Sequence, residues 1–230
     1  LINKIKTRNI LTYSIKNKKA DVLIFDIIQN KLKTSFKLKI NSKIIHSSNY
    51  KFTINSIGNH NILNATASIV AAKLNGIKNK DINKALTNYV GVKRRFSFIG
   101  KKNKSFVYDD YAHHPTEIAA TLSAAKSLKN KVIVVFQPHR YTRTKILIRE
   151  FIKVLSKVDY LFLLETYSAG EKIIKGATSK DIYSKILKKN KNTIYLKNIG
   201  DLNKLMKPYT LHQNTIVFMG AGSILSLIHI

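Results

Sequence analysis

The second half of the chain alternates short apolar runs with amphipathic stretches. Apolar runs fall at about 106–109, 131–136, 160–164, 193–196 and 215–219, and helical patterns fall between them at about 115–128, 143–156, 178–188 and 200–207. Val132–Phe136 and Leu161–Leu164 are apolar without interruption, which is typical of parallel strands covered on both faces. The regular alternation predicts a Rossmann-like α/β domain with a mostly parallel sheet.

The first half of the chain has a different pattern. Runs rich in β-branched and aromatic residues lie between Lys, Asn and Ser, at Asp21–Ile28, Phe36–Ile40 and Tyr50–Ile54. These runs predict short strands. Apolar residues near helical spacing then predict a helix over Gly58–Asn75 and a second one over Asp81–Tyr89.

A change of composition separates the two halves. Gly91–Gly100 places Arg94 and Arg95 between two glycines and indicates a linker. We therefore expect one domain at 1–95 and a second at 96–230.

Polar side chains follow two consecutive apolar runs of the second half. The first run ends in Asp109, Asp110, Tyr111, His113 and His114, and the second in Gln137, His139, Arg140, Tyr141 and Arg143. Ligands of open α/β sheets bind just past the carboxyl ends of the strands. We therefore expect two neighbouring strand tips to place acid, imidazole and guanidinium groups around one pocket. Pro115 predicts a helix start, with His114 as the better N-cap and His113 as the alternative.

The start of the first predicted helix is a second candidate site. His60 and Asn64 are four residues apart and so share one helix face. Asn59 or Asn61 could instead cap the helix, which is a position that Asn favours. Spacing alone leaves both interpretations open.

Composition limits the class of protein. The chain has 230 residues, of which 44% are hydrophobic, and it has no cysteine, so a sizeable core is possible and disulfides are excluded. No run of about 20 apolar residues predicts a membrane helix, and no signal peptide is recognisable. We expect a cytoplasmic protein, and Leu1 in place of Met suggests that the start is missing.

The net charge of +29 invites comparison with proteins that bind nucleic acid. However, the lysines are scattered and are not interleaved with aromatic residues, as a stacking platform would require. Compositional drift is the favoured interpretation, and a basic nucleic-acid-binding module is the alternative from another functional class. The six arginines are scarce by comparison, and most lie in the motifs described next.

Six segments carry a resemblance to a known family. In chain order they are GNHNILN at 58–64, GVKRRF at 91–96, DDYAHHPTE at 109–117, FQPHRYTRT at 136–144, YSAGE at 167–171 and GAGSI at 220–224. From about residue 58 to its end the chain resembles the Mur ligases, and within them the members that join L-alanine to UDP-N-acetylmuramate. The first half would then be the late part of the central ATP-binding domain, and the second half the C-terminal domain. Relatives that recycle precursors share two of these motifs and attach a peptide instead.

The resemblance implies a role for individual residues. The implied ATP-binding residues are His60, Asn61, Asn64, Arg95 and Asp110. The implied substrate-binding residues are Tyr111, His113, His139, Arg140 and Arg143. Arg95 and His113 would also be catalytic. The cofactors would be ATP and Mg²⁺, with UDP-N-acetylmuramate and L-alanine as substrates.

One departure from the family pattern matters. The sequence contains no G-x-x-x-x-G-K-[ST] motif, whose backbone and lysine cradle nucleotide phosphates. The ligands for Mg²⁺ are also expected outside this chain, so no metal ligand is assigned within it. We expect the chain to be a fragment or an eroded remnant that does not ligate alone.

Overall fold

The computed structural model describes residues 10–41, 48–222 and 224. The chain forms two compact units, Leu1–Gly91 and Val92–Ile230. Within the described ranges, no helix is both long and apolar enough to cross a membrane.

Where the structure describes it, the first unit forms a four-stranded sheet and two α-helices. Its elements are β1 (Tyr13–Ser14), β2 (Val22–Asn30), β3 (Lys33–Ile40), β4 (Ser48–Ile54), α1 (Asn59–Leu74) and α2 (Asn79–Asn88). The sheet order is β1-β2-β3-β4, with β1 parallel to β2 and the other pairs antiparallel. Alternate residues of β3, including Phe36 and Leu38, face a core that also contains Ile62 and Ile69 of α1. The predicted strands and helices of this half are therefore confirmed in type.

The start of α1 differs from the expectation. Gly58 is the N-cap residue with φ 93°, and no side chain caps the helix. Asn61 lies inside the first turn, where its Nδ2 donates to the Ile57 carbonyl at 2.8 Å. The prediction of an Asn59 or Asn61 cap was wrong, because the cap position has a left-handed φ that glycine adopts without strain.

Among its described residues, the second unit forms a six-stranded sheet and four α-helices. Its strands are β5 (Ser97–Lys102), β6 (Ser105–Asp110), β7 (Lys131–Phe136), β8 (Tyr160–Leu164), β9 (Thr193–Leu196) and β10 (Asn214–Met219). Its helices are α3 (Pro115–Lys126), α4 (Tyr141–Leu155), α5 (Ser179–Ile186) and α6 (Leu202–Thr210). The order is β5-β6-β10-β7-β8-β9, and every pair is parallel except β5 with β6. The predicted mostly parallel α/β sheet is confirmed.

Part of the predicted linker is a strand. Ser97–Lys102 forms β5 and pairs with β6 across the turn at Asn103 and Lys104. Its register shifts between Phe98 and Gly100, and both Phe98 and Ile99 are exposed. The alternation that signals a half-buried strand is therefore absent from the sequence, and the linker interpretation was wrong for these residues.

The two polar strand tips are not neighbours in the sheet. Strand β10 lies between β6 and β7, so Phe218 pairs with Asp109 on one side and with Val135 on the other. The expectation of adjacent tips was wrong because the order of strands along the chain does not fix their order in the sheet. The tips of β6 and β7 are therefore separated by the tip of β10 and the turn that follows it.

Candidate functional site

Asp110 holds the chain at the tip of β6. Its Oδ2 accepts from the Phe96 backbone N–H at 2.8 Å, and its Oδ1 accepts from the Ala112 N–H at 2.7 Å. Burial raises the pKa of Asp110, and these two backbone hydrogen bonds oppose that rise. The carboxylate thus fixes the turn from which Tyr111 projects.

Asp109 lies on the opposite face of β6, as its strand position predicts, and is fully buried. The Nε of Arg94 lies 3.1 Å from its Oδ2. Burial raises the pKa of Asp109, and the charge of Arg94 opposes the rise. The second oxygen, Oδ1, is buried and has no hydrogen-bond partner among the described residues.

The start of α3 is closed by a reciprocal cap. The His114 Nδ1 accepts from the Thr116 N–H at 3.3 Å, and the Glu117 Oε2 accepts from the His114 N–H at 3.2 Å. The prediction that His114 is the N-cap is confirmed. His113 is not the cap: its Nδ1 lies 2.9 Å from the Tyr111 carbonyl oxygen.

Four rings then form a continuous row across the strand tips, the ring row, made of Tyr111, His113, His139 and Tyr167. Tyr111 meets His113 edge-on at 5.2 Å between centroids, and His113 lies 6.0 Å from His139. His139 stacks on Tyr167 at 5.3 Å. Strand β10 separates the tips of β6 and β7, and the side chains of the ring row bridge the two tips.

Arg143 joins the ring row at His139. Its guanidinium Nη1 lies 3.3 Å from the His139 Nδ1 and 3.4 Å from the His139 carbonyl oxygen. Burial lowers the pKa of His139, and the charges of Arg143 and His113 lower it further. The site therefore favours a neutral imidazole beside a permanent cation.

The loop after β8 completes this side of the site. The Arg140 N–H donates to the Tyr167 carbonyl at 2.8 Å, and the Tyr167 N–H donates to the Pro138 carbonyl at 2.9 Å. Glu171 accepts from the backbone N–H of Thr142 at 3.0 Å and from its hydroxyl at 2.6 Å. The YSAGE segment is thus bound to the first turn of α4.

The structure brings some of the candidate residues together and leaves others apart. Tyr111, His113, His139 and Arg143 form one cluster. Arg140 is the exposed N-cap residue of α4, with φ 70°. Arg95 is exposed and lies 3.9 Å from Glu117, whose other oxygen is 3.7 Å from the His113 Nδ1.

Asp110 was expected to share this cluster, but its hydrogen bonds go to the backbone of Phe96 and Ala112 and to the side chain of Thr121. His60, Asn61 and Asn64 lie on the first turns of α1 in the other unit, where Asn64 is exposed.

Sequence reasoning missed two residues of the site. Arg94 was interpreted as part of a linker charge pair, and Tyr167 was noted only within a motif. The scarcity of arginine in a lysine-rich chain was the signal that could have singled out Arg94. Within the described residues, no group of three or more His, Cys, Asp or Glu side chains could hold a metal ion, so they offer no Mg²⁺ site made of protein side chains alone.

Comparison with known proteins gives consistent matches. Residues 94–222 match the family described as "Mur ligase, glutamate ligase domain", and residues 1–72 match the "Mur ligase middle domain". A UDP-N-acetylmuramate–L-alanine ligase of Buchnera aphidicola subsp. Baizongia pistaciae is 40% identical over 94% of this chain and 46% of its own. The enzyme of the same name from Rickettsia typhi is 36% identical over 98% of this chain and 47% of its own.

A solved structure agrees with these relatives. The UDP-N-acetylmuramate–alanine ligase MurC of Thermotoga maritima superposes with a TM-score of 0.75 and 26% identity, over 94% of this chain and 46% of that one. The chain therefore spans about half the length of the relatives it matches.

Proposed function

The chain belongs to the Mur ligase family, and on that premise we propose that it forms the second half of an ATP-dependent enzyme that joins L-alanine to UDP-N-acetylmuramate. The observation that carries the proposal is the 40% identity, over 94% of the chain, to a relative of that name. The reaction would belong to the synthesis of peptidoglycan precursors in the cytoplasm.

The proposed chemistry has two steps. ATP phosphorylates the muramate carboxylate to an acyl phosphate, and the amine of L-alanine then attacks the acyl carbon and displaces inorganic phosphate. Negative charge accumulates on phosphoryl and carboxylate oxygens, so positioned cations stabilise the transition state. Arg140 and Arg143 would bind these oxygens, because a guanidinium pairs with them in a planar fork. His113 is the proposed catalytic imidazole, with Tyr111 and His139 beside it.

Roles in nucleotide binding are assigned to residues at the start of α1 and, separately, to Arg95 and Asp110. Asn64 is an exposed residue on the second turn of α1, and the first turn of this helix carries no acidic side chain. An amide of this kind can pair with the edge of an adenine ring, and His60 and Asn61 are the companions we assign to it. Arg95 would bind phosphate. Asp110 would contact the ribose through a lone pair that its hydrogen bonds with Phe96, Ala112 and Thr121 leave available, since a carboxylate has about four.

Two functions would have to come from outside these residues. A phosphate-binding loop has no counterpart in the sequence, and the described residues offer no Mg²⁺ site made of protein side chains alone. We propose that the ligands of the metal, with the loop, belong to the other half of the enzyme.

A fusion experiment tests the proposal. The 230-residue chain is assayed for UDP-N-acetylmuramoyl-alanine alone, and again after fusion to the first half of the Buchnera relative. We expect no product from the chain alone and ATP-dependent product from the fusion. An inactive fusion beside an active intact relative would contradict the proposal. Product from the chain alone would contradict the expectation that it needs the other half of the enzyme.

The substrate and the alternative class are tested on the same samples. A fusion that uses a muramyl-linked peptide in place of alanine would favour the recycling relatives. Tight binding of mixed-sequence DNA that weakens steeply with salt, and that persists in Asp110→Ala, would favour the nucleic-acid-binding module.

A further inference from the structure

Arg94 contacts three separate parts of the second unit. Its Nε pairs with Asp109 on β6 at 3.1 Å. Its Nη2 donates to the carbonyl oxygens of Gly220 at 2.6 Å and Gly222 at 3.1 Å, in the turn after β10. Its guanidinium carbon lies 4.8 Å from the ring centre of Tyr111. One side chain thus joins the tip of β6, the tip of β10 and the first ring of the ring row.

The surroundings of Arg94 make these contacts specific. The side chain of Arg94 is 23% exposed and that of Asp109 only 1%, so little water can replace either partner. A planar guanidinium can bind a carboxylate, two carbonyls and an aromatic face together, and a lysine ammonium cannot. The Arg94 carbonyl also accepts from the Tyr111 N–H at 2.8 Å, so Arg94 is bound to Tyr111 through both backbone and side chain.

The turn that Arg94 binds is itself tightly placed. A Cβ on Gly222 would lie 2.9 Å from the Gln137 Oε1, and one on Gly220 would lie 3.1 Å from the Gln137 carbonyl oxygen. The turn after β10 therefore rests against the tip of β7. Through this turn, Arg94 connects the two polar strand tips that β10 separates.

We propose that Arg94 and Asp109 form a positioning pair that fixes Tyr111 and, through its edge contact, His113. Neither residue of the pair needs to touch substrate. Tyr111 is 37% exposed, so its ring has few neighbours that would hold it if the guanidinium were removed. The consequence for catalysis rests on the function proposed above, whereas the consequence for ring geometry does not.

The geometric arm of the test uses the 230-residue chain. NMR spectra record the cross-peaks between the Tyr111 and His113 rings and the amide shifts of Gly222 in Arg94→Lys and Asp109→Asn. Arg149→Lys, at an exposed arginine on α4, is the matched control. We expect both pair variants to weaken the ring cross-peaks and shift Gly222, and the control to do neither. Unchanged rings in a folded Arg94→Lys variant would overturn the proposal.

The catalytic arm uses the fusion described above. We expect Arg94→Lys to lower kcat by about tenfold or more, because a small displacement of a catalytic group can cost up to about 100-fold, with the KM for ATP nearly unchanged. Displaced rings with unchanged kcat would overturn the link between positioning and catalysis. If the unsubstituted fusion has no activity while the rings move as expected, the proposed function fails and the positioning pair remains.

Discussion

At the scale of single residues, the carboxylate of Asp110 has a structural task as well as its proposed contact with nucleotide. It accepts the backbone N–H groups of Phe96 and Ala112, and it is 5% exposed. A substitution that removes the carboxylate leaves two donors without their partner. Loss of nucleotide binding in such a variant is therefore informative only when folding is measured as well.

We expect Asp110→Ala to lower the free energy of unfolding of the second unit by on the order of 2–4 kcal/mol, because each buried donor left unpaired costs about 1–3 kcal/mol. Urea denaturation measures this loss, and Asp201→Ala, at an exposed aspartate, is the control. Equal stability of the two variants would mean that the Asp110 hydrogen bonds contribute little.

His139 allows a test of charge within the ring row. Burial is the largest cause of the lowered pKa of His139, and the charge of Arg143 is the next largest. Because Arg143→Gln removes that charge, we expect the pKa of His139 to rise. Histidine ring shifts measured by NMR against pH follow this change, with Arg149→Gln as the control. A pKa of His139 that stays where it was would show that the charge of Arg143 contributes little to it.

His139 also makes the free energy of unfolding depend on pH. Because the folded pKa of His139 lies below its unfolded value near 6.5, the unfolded chain binds the proton more readily. Stability is therefore lost as the pH falls below that value. Arg143→Gln should reduce this loss, which urea denaturation at several pH values measures.

At the scale of elements, the first turn of α4 depends on a residue from a distant loop. Arg140 occupies the N-cap position without a side-chain hydrogen bond to the helix. Glu171 supplies the acceptor instead, through its hydrogen bonds with Thr142. A negative charge at a helix N-terminus is also favoured by the helix dipole. The loop after β8 and the turn after β7 are therefore stabilised together.

We expect Glu171→Gln to speed amide hydrogen exchange at Thr142 and at Arg143. The hydrogen bonds from Thr142 lower the pKa of Glu171. The contribution of Glu171 to the stability of the first turn of α4 is therefore present above the ordinary pKa of 4.5. It is lost as the pH falls through the lower pKa of the folded state. Glu150→Gln, at an exposed glutamate further along α4, should leave exchange at the first turn unchanged. Equal exchange in both variants would contradict the capping role.

At the scale of the whole molecule, the position of the domain boundary has an energetic consequence. The second compact unit begins at Val92, whereas the sequence suggested a domain starting at residue 96. A chain cut at the later position lacks Arg94, the partner of buried Asp109. It also lacks Arg95.

We expect residues 92–230 expressed alone to be more stable than residues 96–230 by about 3 kcal/mol or more, the usual cost of leaving one buried charge without its partner. Urea midpoints of the two chains measure the difference. The variant Arg94→Met in residues 92–230 should reproduce most of it, and a variant as stable as its parent would place the effect elsewhere in residues 92–95.

Hydrophobic patterning by itself determined most of the elements of this protein, although not β5. The uninterrupted apolar runs of β7 and β8 indicate buried parallel strands, and His114 followed by Pro115 indicates the start of α3. These signals are local, because burial on both faces and cap geometry act on residues close together in the chain. The six family motifs could also be identified from the sequence, since each is a short continuous segment.

Only the tertiary structure decided which strand tips meet and what lies between them. The insertion of β10 between β6 and β7 and the contact of Arg94 with Gly220 and Gly222 join residues that are 83 to 128 positions apart. Strand order depends on how whole elements pack, which no local pattern records. Strand β5 was missed for a similar reason. Its pairing with β6 holds it in the sheet, and its own sequence does not alternate between apolar and polar residues.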